Sequence, residues 1–303
     1  RPGSSTQAKS WQQQLRADLR RLLHVDDFGA SPIALATTAA DPVERAGVRH
    51  QEVEFASTPG RRIKALLTVP AAGSGPFPAV VCIHGHGGTR ASVHDDSTVY
   101  RGFAAALAQQ GFVTIACDVG QHEVFEPGRT LLGERLWDLI RCVDYLESMP
   151  EVDLSRIGCA GLSLGGEMAM WLGAMDERIA TTASAGFLTT MDHMEQNHCM
   201  CWKFPGLREL VDFADIYSLI APRALQCQNG MLEPVSQFNV PLARKTMEEV
   251  RMIYCDLGKP ENVVLDVHAG GHEIDLPGLL YFLEKHLYDN RWTEPKGIQA
   301  ETL

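Results

Sequence analysis

The sequence predicts an α/β fold, a mostly parallel central sheet with helices on both faces and a helical extension at the N-terminus. Two observations carry this. From residue 79 onward, short apolar runs alternate with helical stretches, the rhythm of strand–helix–strand units around a parallel sheet. Several runs, Ala79–Ile83 above all, are apolar at every position, as strands covered on both faces require.

In chain order, residues 1–50 read as the extension. Trp11, Leu15, Leu19, Leu22 and Leu23 fall near helical spacing, and residues 26–50 look irregular. Val53–Phe55 and Ile63–Val69 flank the turn Thr58-Pro59-Gly60 as a hairpin. The main domain spans 51–290. It holds strands at Ala79–Ile83, Phe112–Cys117, Ile157–Ala160, Ala180–Ser184, Ala224–Gln228 and Val263–Val267. Its helices fall at 97–110, Arg135–Met149, Leu164–Met175 and Pro277–Leu287. Residues 291–303 read as a tail. Residues 185–222 contain no clear strand, and an excursion that long in a compact domain is usually functional. It is read as covering a pocket, with His193, Met194 and Trp202 as lining.

The chain has 303 residues, a formal net charge of -11 and a pI near 5.5. Nucleic acid would be repelled by such a surface without a basic stripe, and none is visible. No run reaches the ~20 apolar residues that cross a bilayer. The 8 cysteines show no framework spacing, which leans towards a reducing, cytoplasmic compartment. The chain starts Arg1-Pro2-Gly3 without a methionine, so export stays open. Oligomeric state is not fixed, and a homo-oligomer stays open too.

Four motifs carry chemistry. Gly161-Leu162-Ser163-Leu164-Gly165-Gly166 lies between a predicted strand and helix, the setting of a nucleophile elbow. A serine on so sharp a turn needs tiny residues two before and two after it, and Gly161 and Gly165 fill both places. Ile83-His84-Gly85-His86-Gly87-Gly88 follows an earlier strand. A glycine-rich loop there can donate one backbone N–H to an oxyanion while the residue after the nucleophile donates the other. These donors are assigned to His86 and Leu164, with His84 packed under the loop. Gly270-Gly271-His272-Glu273 follows the last strand, where a general base can orient freely. The acid should fall between nucleophile and base in the chain. Glu233, past Asn229-Gly230, is the first candidate. Asp256 is the alternative, and Asp266 would reach His272 poorly.

On these residues the chain resembles the α/β-hydrolase superfamily, in its dienelactone-hydrolase-like and acetylxylan-esterase-like branch. Trp137-Asp138 through Tyr145-Leu146, then Val152–Gly158, and Ile220-Ala221-Pro222-Arg223 are similar to segments of those esterases, over roughly residues 50–288. The resemblance implies a serine–acid–histidine triad, no metal or organic cofactor, and small-molecule or carbohydrate acyl esters as substrates. Glu233 stands where that branch usually carries Asp. The same triad also serves lactone, amide and carbon–carbon hydrolysis. A different class of reading is a metal site built from His193, His198, Cys199 and Cys201, all able to ligate zinc.

Overall fold

A computed structural model describes residues 2–29, 33–73 and 75–288; the predicted tail at 291–303 lies outside them. Among the described residues ten strands form one sheet: β1 (Thr38–Ala39), β2 (Val43–Arg45), β3 (Val48–Thr58), β4 (Arg61–Pro70), β5 (Phe77–Ile83), β6 (Val113–Cys117), β7 (Val152–Leu162), β8 (Ile179–Ala185), β9 (Ala224–Gly230) and β10 (Val263–His268). The helices are α1 (Ser5–Leu22), α2 (Val25–Gly29), α3 (Phe103–Gln109), α4 (Leu131–Glu147), α5 (Leu164–Met175), α6 (Met191–Asn197), α7 (Leu207–Leu210), α8 (Phe213–Ser218), α9 (Val240–Asp256) and α10 (Leu276–Leu287).

The strand order is β1-β3-β4-β6-β5-β7-β8-β9-β10, with β2 paired to β3. Pairs from β6 through β10 are parallel; β1 to β4 join antiparallel at one edge. Strand alternation divides the core. In β5, Ala79, Val81 and Ile83 face the layer of α1, α4, α5, α8 and α9, whereas Val80 and Cys82 face α3 and α10. All of β5 except its first residue is therefore buried.

The segments that resemble esterases act here as fasteners. Trp137 Nε1–H donates to the Ser57 carbonyl at 2.8 Å. Asp138 accepts from Ser57 Oγ and Arg61 Nη1, both at 2.5 Å, so α4 is tied to the β3–β4 hairpin. Arg223 donates to the carbonyls of Ile179 and Gly173, both at 2.6 Å, which joins the end of α5 to the start of β9. The extension docks rather than trails. Gln12 Nε2 donates to the carbonyls of Ser218 and Ala221, and Arg16 donates to those of Ala174 and Leu219.

Three segments depart from expectation. Residues 26–50 are not irregular throughout, because α2 runs to Gly29 and β1, β2 and the start of β3 lie at 38–50. The helix predicted at 97–110 begins only at Phe103. Arg101 and Gly102 hold φ of 53° and 59°, left-handed values that cannot continue a right-handed helix. Helix α9 was not predicted. It starts at Asn239, whose side chain accepts from the Leu242 N–H, with proline in its first turn.

Candidate active site

Strands β5, β7, β8, β9 and β10 are parallel neighbours, so their C-terminal ends lie along one edge of the sheet, and the candidate residues sit in the turns there. After β7, Ser163 takes φ 62° and ψ -122° before α5 begins. This is a strained conformation for a residue with a side chain. Packing imposes it. A Cβ at Gly161 would lie 2.3 Å from the Gly165 carbonyl oxygen, and one at Gly165 would lie 2.2 Å from that of Ile83. The turn thus presses against β5 as closely as glycine permits, and Ser163 heads the first turn of α5, whose N–H groups lack intrahelical partners.

His272 lies beyond β10 and packs over Gly186, just past β8. A Cβ on Gly186 would come within 2.8 Å of His272 Cε1. The imidazole stacks on Phe238 with centroids 5.4 Å apart. Its Nδ1 stands 2.7 Å from Glu233 Oε1. A carboxylate only accepts, so Nδ1 carries the proton and Nε2 is left as the basic nitrogen. The Glu233 side chain is 1% exposed, against 35% for His272. The turn after β9 holds the acid: the N–H groups of Met231, Leu232 and Glu233 donate to the carbonyls of His268, Gly270 and Gly230. The two carboxylates considered as alternatives stand elsewhere. Asp256 ends α9 on its outer face, beside a surface cavity of about 590 Å³ that contains none of the residues around Ser163. Asp266 accepts from Gln226 and Gln228, and burial, reinforced by Asp275, raises it to about 6.

A cavity of about 210 Å³ opens beside Ser163. His86 and Leu164 line it together, with Met194, Trp202 and Phe238 as apolar wall. The loop that carries His86 is fixed from both ends. Gly85 N–H donates to the Tyr100 hydroxyl at 2.7 Å, and Gly87 N–H donates to Gln121 Oε1 at 2.9 Å. His84 packs beneath as expected. Its Nε2 accepts from Val119 N–H, so Nδ1–H donates to the Gly85 carbonyl, and burial lowers its pKa. Glu167, one turn along α5 from Ser163, is fully buried, and burial raises it to about 7 against the opposing pull of Arg135.

His193 is not part of the wall. Residues 193 and 194 point about 100° apart around α6; Met194 faces the cavity, whereas His193 Nε2–H donates to the Gln237 carbonyl at 2.8 Å. The quartet His193, His198, Cys199 and Cys201 does not assemble either. His198 packs its ring 4.8 Å from Phe238 and lines the cavity. Cys199 and Cys201 turn instead to His86 and His122. Sequence reasoning passed over His122, Gln121 and Tyr100. A lone histidine, amide or phenol in a loop carries no pattern, and only the fold shows what it touches.

Residues 38–196 match the acetyl xylan esterase (AXE1) family. A Bacillus subtilis protein named as a hydrolase, YtaP, is 29% identical over 237 residues, which cover 69% of this chain and 77% of that protein. The fold is shared with a glucuronoyl esterase from Solibacter usitatus, at TM-score 0.71 and 19% identity over 91% of this chain and 93% of that one. It is also shared with an acetyl xylan esterase from Paenibacillus sp. R4, at TM-score 0.65 and 19% identity over 91% and 99%. The family match spans just over half of the sequence, and the chain belongs to the acetyl xylan esterase family.

Proposed function

We propose that this member of the acetyl xylan esterase family hydrolyses short-acyl carboxylic esters, acetylated carbohydrates first among them, with Ser163 as nucleophile, His272 as base and Glu233 as acid. One observation carries the reading: the 2.7 Å contact from His272 Nδ1 to a carboxylate that is itself buried, in the same strand-end cluster as the strained Ser163. His272 Nε2 takes the Ser163 proton as Oγ attacks the acyl carbon. The N–H groups of His86 and Leu164 hold the oxyanion. The alcohol departs with the proton from His272, and water, activated by the same imidazole, then releases the acid.

Cavity size supports the short acyl group. At about 210 Å³ the space falls below the ~300 Å³ at which pockets for larger ligands begin. Its apolar wall suits a methyl group, and the sugar would face solvent at the mouth. The test is acetate release from acetylated xylo-oligosaccharides, set against release of methanol from methyl glucuronate. Faster acetate release supports the reading. Methanol release alone would move the substrate class to uronate esters.

A further inference from the structure

Beside the site, on the solvent side of the cavity, two histidines and two cysteines from three separate loops face one another. His86 Nε2 stands 3.2 Å from Cys201 Sγ. His122 Nε2 stands 3.2 Å from Cys199 Sγ. The two imidazoles are nearly parallel, 19° apart with centroids at 5.4 Å. All four donor atoms lie within 4.8 Å of one another.

We propose that His86, His122, Cys199 and Cys201 form a closed, four-ligand site for a zinc-class divalent ion, which clips the excursion over the active site to the loops after β5 and β6. The geometry is near that of a bound ion. With Zn–N about 2.0–2.1 Å and Zn–S about 2.3 Å, a tetrahedral site places N and S about 3.5 Å apart and the two sulfurs about 3.8 Å apart. The two observed 3.2 Å pairs lie close to these values, and the wider pairs, all within 4.8 Å, close to tetrahedral edges by side-chain movements of up to about 1 Å. Two thiolates and two imidazoles in a tetrahedron select zinc over the hard, oxygen-seeking cations. Four protein ligands leave no open position, so the ion is structural. Binding releases the two thiol protons, since only thiolates ligate.

The surroundings are organised for this. Gln121, next to His122, accepts from Gly87 N–H, next to His86. Gln121 Nε2 also donates to the Val119 carbonyl at 2.9 Å. Arg135 donates to the carbonyls of Gly120 and Gln121 from below. The two histidine loops are thus already joined as one frame. The cysteines come from the far segment: Cys199 follows α6, and Cys201 lies within the turn at Met200–Trp202. An ion bridging frame and excursion would hold Trp202 and Met194 in the cavity wall.

The test uses the full chain, reduced and metal-free, and reads binding alone, so it stands apart from the ester-hydrolysis reading. Titration with cobalt(II) should give the visible bands of a tetrahedral ion and a thiolate-to-cobalt charge-transfer band, saturating at one ion per chain. Added zinc should bleach both. In the wild type, zinc should protect Cys199 and Cys201 from alkylation while exposed Cys255 reacts as before. His122→Ala, and separately Cys199→Ser with Cys201→Ser, should lose the cobalt spectrum. A cobalt spectrum without charge transfer, or equal alkylation of Cys199 and Cys201 with and without zinc, would overturn the proposal. So would zinc binding unchanged in His122→Ala.

Discussion

Replacing Glu233 by Gln removes a charge while conserving shape, and the consequence follows from the geometry around His272. In the wild type a buried carboxylate lies against the imidazole Nδ1 at 2.7 Å. In the proposed mechanism His272 takes up the serine proton, and the imidazolium forms beside that charge. Charge centres about 4 Å apart at an effective dielectric near 20 interact by about 4 kcal/mol. Glutamine keeps an oxygen for Nδ1–H but forfeits this attraction. At about 1.4 kcal/mol per tenfold, kcat should fall by about 10³, with a further loss where the amide turns its NH2 towards the ring and selects the wrong tautomer. Glu233 does not line the cavity, so KM should change little. The assay is steady-state hydrolysis of p-nitrophenyl acetate, with thermal unfolding as a check on the fold. Glu233→Asp should lie between the two, because its arm is one methylene short. A Glu233→Gln enzyme within about threefold of wild type would show that Glu233 is not the acid behind His272.

Other perturbations have equally definite signs. Gly165→Ala would place a methyl 2.2 Å from the Ile83 carbonyl oxygen; urea denaturation should show a loss of about 3 kcal/mol or more, together with activity. Met194→Ala enlarges the cavity, so the ratio of kcat/KM for butyrate over acetate esters should rise by about tenfold, at a stability cost of ~2–5 kcal/mol. Asp266 has a folded-state pKa raised to about 6 by burial. Its folded form binds the proton more tightly than the unfolded form, so stability falls as pH rises from about 4 through about 6. Asp266→Asn should therefore gain ~1–2 kcal/mol over wild type at about pH 8 and almost nothing at about pH 4; an equal difference at both pH values would contradict the assignment.

What the sequence makes legible here is what local rules govern. Ala79–Ile83 reads as a buried strand because both faces are covered, and GLSLGG reads as an elbow because sterics demand glycine at two fixed positions. Chain order then points to Glu233 and His272, which the fold brings within 2.7 Å of each other. Less legible are features set by long-range contact. Arg101 and Gly102 delay the start of α3 through left-handed backbone that no periodicity reveals. His193 and Met194 are adjacent, yet helical rotation sends one to the Gln237 carbonyl and the other to the cavity. Cys199 and Cys201 meet His86 and His122 across separations that no spacing motif encodes. Helix α9 is a different case. Its N-cap Asn239, first-turn proline and buried Ala243, Met247, Val250 and Tyr254 were all present in the sequence as signals of a helix.

Ester hydrolysis through Ser163 is tested most directly by hydrolysis of p-nitrophenyl acetate by the wild type and Ser163→Ala side by side. The wild type should turn over, and kcat should be lower by about 10⁴ or more in the variant, with the fold intact by circular dichroism. Turnover by Ser163→Ala at the wild-type rate would contradict hydrolysis through Ser163.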